Sequence, residues 1–152
     1  MMTDQAQQSI ETVFAERRGY WVKWTDDMVS LMKTMDGLQT LQSEVYARRQ
    51  EAVENYHNLT ATLARLIRAY KEKYNEIYNK IRLLKIPNTP NYLYNTETAL
   101  RQQAEGELAA DKYTIDIIEN HIGYMDQTIK TIDGIIFGIS NRIKIEEIKI
   151  GK

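Results

Sequence analysis

The chain contains no cysteine, which removes disulfides, thiolate nucleophiles and cysteine-ligated zinc as ways of holding or using a fold. Proline occurs only at 87 and 90, and glycine is scarce, so sharp backbone interruptions are confined to a few places. No apolar run approaches the roughly 20 residues that a membrane-crossing helix needs. Met1 to Glu11 is polar and lacks the apolar stretch of a secretory leader. These absences predict a soluble, cytoplasmic protein with no membrane partner. At 152 residues it has the length of one domain.

Chemistry-bearing patterns are missing as well. The chain has no Gly-x-x-x-x-Gly-Lys loop, no Gly-x-Gly-x-x-Gly, no Gly-x-Ser-x-Gly and no His-Glu-x-x-His. The only histidines are His57 and His121; Glu54-Asn55-Tyr56-His57 has the Glu-x-x-His spacing but His121 has Ile118 in the glutamate position, so the paired motif of the di-iron bundle signature is absent. Both are expected to be surface or boundary residues. The carboxylates fall at ordinary solvent-face spacing. No catalytic residue, metal ligand or cofactor is expected, and the chain reads as a non-enzyme.

What is present is helix. Charged residues make up 27% and apolar residues 43%, a balance typical of long helices and coiled coils. The one clear loop is Ile86-Pro87-Asn88-Thr89-Pro90-Asn91, continuing to about residue 94; both prolines remove donors and push the preceding residue out of the α region. Everything before it reads as helix, with weak points at Gly19 and Gly37. After it, Asn95 or Thr96 is placed to cap a new helix, with Glu97 favourable to its dipole. The predicted fold is all-α: long antiparallel, coiled-coil-like helices joined by this loop. One domain, 1–152, divides into an N-terminal arm (1–24), a basic helical arm (25–85) and a C-terminal helix (95–150).

Periodicity carries that reading. Ile115, Ile118, Ile122, Met125, Ile129, Ile132, Ile136, Ile139 and Ile143 alternate 3 and 4 apart, a heptad stripe. Leu63, Ile67, Tyr70, Tyr74, Ile77, Ile81 and Leu84 repeat it before the loop. A looser version starts at Met28, Leu31, Met35 and Leu38 and continues through Val45, Ala52, Tyr56 and Leu59, interrupted by Gln42 and Arg49. Ile117, Ile135, Ile145 and Ile148 widen the apolar face of the last helix beyond what one partner helix covers. Isoleucine at both seam positions disfavours two-stranded packing. The nine-residue stripe from Ile115 to Ile143 is therefore expected to join subunits of a homo-oligomer; the alternative is that Ile10 to Trp24 folds back over it. The tail Ile143–Ile150 alternates partially, as an edge strand does, but the upstream heptads favour helix.

Charge is unevenly distributed. Between 55 and 85 only Glu72 and Glu76 oppose Arg65, Arg68, Lys71, Lys73, Lys80, Arg82 and Lys85, whereas residues 95–134 are strongly acidic. Such asymmetry points to one arm meeting an anion. Tyr56, Tyr70, Tyr74, Tyr78, Tyr92 and Tyr94 are interleaved with these cations or adjacent to them. Cations that neutralise phosphate beside rings that stack on bases make a sequence-tolerant single-strand site. Against this, Tyr70 and Tyr74 lie on the apolar stripe as core residues would, and basic flanks often only solvate a helix.

The last third of the chain resembles the UvsY family, the recombination mediators of myovirus-type tailed phages. The resemblance rests on Glu107-Leu-Ala-Ala-Asp-Lys112, on Ile132 through Phe137 with Ile139, and on the terminal Gly151-Lys152, and it extends from about Lys80 onward. It implies a homo-oligomeric, ring-forming protein that binds single-stranded DNA. Such a protein helps load a RecA-like recombinase onto strands covered by a single-strand-binding protein, in the host cytoplasm. It also implies oligomerisation through the C-terminal helix and a DNA-contacting Lys-x-Arg-Leu motif, matched by Lys80-Ile81-Arg82-Leu83. The chain departs from the pattern just afterwards, with Leu84-Lys85-Ile86-Pro87 where the family carries aromatics and a glycine turn. A second register places the motif at Ala47-Arg48-Arg49. The alternative function is a structural coiled-coil protein, such as a phage assembly scaffold, adaptor or helical chaperone, with no nucleic-acid role.

Overall fold

With no proline before residue 87, nothing forbids a continuous helical backbone, and the chain uses that freedom almost fully. The computed structural model describes residues 4–83 and 97–151, which form α1 (Asp4–Leu31), α2 (Met35–Leu83), α3 (Glu97–Glu107) and α4 (Ala109–Ile150). The expected loop at 86–94, its flanking Leu84 and Lys85, and the Asn95 and Thr96 caps lie outside the described residues. The described part is all-α, as expected, and none of its helices is long and apolar enough to cross a membrane. The tail is helical to Ile150.

The break between α1 and α2 has a local cause. The Thr34 hydroxyl accepts the Gly37 N–H at 3.0 Å, the side-chain cap of a helix N-terminus, and the Thr34 carbonyl accepts the Leu38 N–H at 2.9 Å. Gly37 is buried in this turn; a Cβ there would run into the Leu31 carbonyl and sit 2.8 Å from Thr34 Oγ1. The weak point expected at Gly37 is thus a real boundary, while Gly19 lies inside α1 without a break. The boundary expected at 24/25 also falls within α1.

Ion pairs fix the directions of the helices. Arg49 meets Asp133 at 2.6 Å and Lys73 meets Asp111 at 3.3 Å, so α2 and α4 run antiparallel. The α1 contacts advance with α4: Glu11 accepts from the Tyr113 hydroxyl and the Arg18 carbonyl accepts from the Tyr124 hydroxyl, and just past α1 the Met32 side chain lies where a Cβ on Gly138 would meet it. α1 is thus parallel to α4. Forty-nine residues of α2 at 1.5 Å each make it roughly 70 Å long, too long for α1 to cover. Its other half is lined by α3, which buries Leu100 and Ala104.

α3 and α4 are one helical course interrupted at Leu108, rather than the single helix expected over 95–150. Leu108 has φ −103° and ψ 12°, and its N–H is shared between the carbonyls of Ala104 and Glu105, each at 3.2 Å. Gly106, flanked by two glutamates, lowers helix propensity just before the break, and burial of Leu108 holds the offset.

The core answers the question of what covers the isoleucine stripe. Phe14, Trp21 and Met28 of α1, seven apart, are buried against Ile118, Met125, Ile132, Ile135 and Ile139 of α4 and Leu38, Leu41, Val45, Ala52 and Leu59 of α2. Within the stripe assigned to subunit contacts, Ile115, Ile118, Met125, Ile132 and Ile139 are buried in the chain itself. Ile122, Ile129, Ile136 and Ile143 pack against that core as partly buried residues. The arrangement is the alternative one: Ile10 to Trp24 folds over α4. A heptad seam reads the same in a sequence whether its partner helix is in the same chain or another, which is why the stripe pointed outward. What remains outside is the back of α4's last turns, where Phe137, Ile145 and Ile148 are 69%, 50% and 61% exposed.

Candidate nucleic-acid interface

Past the end of α1, the C-terminal half of α2 is flanked by α3 and the start of α4 and is otherwise open. Here the basic residues are exposed: Arg65, Arg68, Lys71, Lys73, Lys80 and Arg82. Lys85 lies outside the described residues. They do not share one face. At 3.6 residues per turn, Arg68, Lys71, Asn75, Tyr78 and Arg82, spaced 3, 4, 3 and 4, form a continuous line along one flank. Lys73 and Lys80 fall on the opposite flank, where Lys73 is tied to Asp111 of α4. Arg65 sits on the back of the helix, donating to Thr62 Oγ1 at 3.2 Å. Lys80 and Arg82, the pair matched to the family motif, therefore point to different sides.

Ion pairing separates the candidates further. Arg68 pairs with Glu72 at 3.2 Å, with both side chains so exposed that the bond yields readily to a competing anion. Lys71 and Arg82 hold no ion pair among the described residues. The cations of the second register are already committed. Arg48 binds Glu51 at 3.0 Å and the Tyr20 hydroxyl at 2.7 Å. Arg49 is bound to Asp133, which raises its pKa chiefly through that hydrogen bond. That cluster serves the helix packing and leaves little for a phosphate.

The basic flank is bordered by aromatic rings. Tyr70, Tyr74 and Tyr78 stack in succession, with centroids 6.4 and 6.2 Å apart and planes within 28°. Separations of this size are those of offset stacks, which leave part of each ring uncovered. The rings are half-buried, between the core position that their spacing suggested and full exposure. Tyr70, Lys71, Tyr74, Asn75 and Glu105 line a shallow cleft between α2 and α3 of about 340 Å³. Burial, then Glu105, raises the Tyr70 pKa, so that ring stays neutral and offers a π face rather than a charge. Asn75 and Glu105 were not among the expected site residues. Asn75 was legible as the fourth-residue step between Lys71 and Tyr78, whereas Glu105 reaches the cleft only because the Leu108 break lays α3 along α2.

His57 is exposed, as expected, but His121 is buried at 2% exposure between α1 and α4. Phe14 stacks on its ring at 4.3 Å and 5°, an aromatic partner that only the fold-back of α1 supplies. Burial, then Arg18 and Arg17, lowers its pKa to about 4. Among the described residues no three histidine, aspartate or glutamate side chains gather as metal ligands do.

No family model, curated protein or solved structure matches this chain.

Proposed function

We propose that the protein binds single-stranded DNA along the Arg68–Arg82 flank of α2 and acts, without chemistry of its own, as a recombination mediator. The observation that carries the reading is the unbroken line of Arg68, Lys71, Asn75, Tyr78 and Arg82 beside the Tyr70–Tyr74–Tyr78 ladder. Phosphates follow the cations, and unpaired bases lie against the rings, each stack contributing about 1–3 kcal/mol irrespective of sequence. From Arg68 to Arg82 the helix rises roughly 20 Å, a length spanned by only a few nucleotides. One subunit therefore holds a strand weakly, and joined subunits hold it tightly through effective concentration. The resemblance to the UvsY family supports the same reading and supplies its partners: a RecA-like recombinase, a single-strand-binding protein and further copies of the chain.

Self-association is assigned to the back of α4. Phe137, Ile145 and Ile148 lie on one side there, clear of α1 and α2. Two copies paired antiparallel about Asn141 set Phe137 opposite Ile145 and Gly134 opposite Ile148, a self-complementary arrangement of large against small. The test of the DNA reading is fluorescence anisotropy of a labelled single-stranded oligonucleotide across salt concentrations. Salt-dependent binding lost on replacing Lys71 and Arg82 supports it. Absence of binding even at low salt would transfer the protein to the structural coiled-coil class.

A further inference from the structure

A second polar cleft lies at the junction of α1, α2 and α4, away from the tyrosine ladder. It encloses about 200 Å³ and is lined by Arg17, Trp21, Asn55, Asn58, Thr62 and His121, with Leu59. No carboxylate lines it. Arg17 holds no ion pair among the described residues; its guanidinium lies 5.7 Å from the Phe14 ring centroid. The Thr62 hydroxyl is committed, donating to the Asn58 carbonyl at 2.9 Å and accepting from Arg65. The donors left facing the cleft are therefore Arg17, the two asparagine amides and His121. An independent observation marks His121: its side chain is 2% exposed and its Nδ1 is buried with no hydrogen-bond partner. Such a nitrogen costs about 1–3 kcal/mol if it is never satisfied, and native structures rarely keep one without use.

We propose that this cleft binds a phosphate-type oxyanion through Arg17, Asn55, Asn58 and His121. Two positive charges approach the site from α1, Arg17 and Arg18. α2 lines the cleft with neutral polar groups, with Arg65 bound to Thr62 at its edge and Glu51, one turn before Asn55, paired with Arg48. Tyr124 is the neighbouring titratable group on α4, its ring stacked at 6.0 Å from His121. Without an anion, that surplus of positive charge together with burial keeps the imidazole neutral. An oxyanion in the cleft reverses the balance: it cancels the arginine field, favours the imidazolium and turns both ring nitrogens into donors. The volume suits a phosphate group with a few waters and excludes a folded peptide. A phosphate free in solution and one in a nucleic-acid backbone present the same chemistry to the cleft.

The test is side-chain nitrogen NMR of the full-length protein, following the titration of His121 with the exposed His57 as internal reference. Spectra are compared in inorganic phosphate, in chloride at matched ionic strength, and with a single-stranded oligonucleotide in chloride. The expected result is proton binding at His121 at least tenfold tighter with phosphate present, and no comparable change at His57. Arg17→Ala and, separately, Asn58→Ala abolish the difference while helicity by circular dichroism stays that of the wild type. A change with inorganic phosphate identifies a free anion as sufficient; a change with the oligonucleotide alone assigns the cleft to backbone phosphate. The phosphate effect persists in Lys71→Ala/Arg82→Ala, which separates this site from the α2 flank. Identical His121 titration in phosphate, chloride and oligonucleotide overturns the proposal.

Discussion

His121 links one side chain to the stability of the whole bundle. Its folded pKa is about 4 against an ordinary 6.5, so between these values the unfolded chain binds the proton that the folded chain refuses. Stability is therefore full above the unfolded value, falls as pH drops from about 6.5 to about 4, and levels off below. The loss amounts to at most about 3 kcal/mol, the free-energy equivalent of the shift. His121→Phe keeps a ring against Phe14 and removes the proton; urea unfolding across this window should show a smaller acid loss in the variant. Equal loss in both proteins would exclude His121 as the source of the acid sensitivity.

The same scale decides which cations matter. Two positions apart on a helix, Lys80 and Arg82 face different directions. Lys80→Ala should change oligonucleotide affinity little, while Lys71→Ala and Arg82→Ala each reduce the salt slope by about 0.7, one phosphate contact apiece. Glu105→Gln should strengthen binding, because it removes a like charge from the cleft of Tyr70 and Lys71; a titration showing unchanged or weaker affinity would take Glu105 out of the site. A sequence displays the identity and spacing of these groups. The line Arg68–Lys71–Asn75–Tyr78–Arg82 could be traced from spacing alone, whereas the commitment of Arg49 to Asp133 and of Lys73 to Asp111 required knowledge of which helices meet.

At the scale of elements, the α1–α2 turn is the sharpest constraint. Gly37→Ala brings a methyl group onto the Leu31 carbonyl, and the overpacking should cost about 1–3 kcal/mol in a chemical melt. The three heptad-spaced anchors of α1 give a second handle: Trp21 is buried at 2% exposure, and Trp21→Ala should cost about 3–5 kcal/mol. A negligible change in that variant would mean that α1 is not packed as described. The helical class and the apolar registers of α2 and α4 were legible because their 3–4 spacing is sustained over many turns. The course of α1 was not, because its core line of Phe14, Trp21 and Met28 has one anchor per two turns and is interleaved with charge. The Leu108 break was hidden for another reason: Leu108 is a good helix former, and the interruption arises from how its N–H is shared and its side chain buried.

On the scale of the molecule, the apolar seam is internal and the character of the surface changes along the length. One end of α2 presents cations and tyrosines; the opposite end of the bundle presents Phe137, Ile145 and Ile148 on α4. Ile145→Asp with Ile148→Asp should leave helicity intact and lower the native mass, because these positions are exposed in the single chain. DNA affinity should fall with it through lost avidity. An unchanged mass would exclude this surface as the subunit contact. Asp placed at Ile132, which is fully buried, should instead unfold the bundle, a distinction that the stripe alone does not make.

The most direct test of nucleic-acid binding along α2 is the anisotropy titration of a single-stranded oligonucleotide with the wild type, Lys80→Ala and Lys71→Ala/Arg82→Ala at several salt concentrations. The expected result is log affinity falling linearly with log salt, nearly unchanged for Lys80→Ala and shallower by about 1.4 for the double variant. Binding that is absent at low salt, or weakened by Lys80→Ala as much as by the double change, would contradict the assignment.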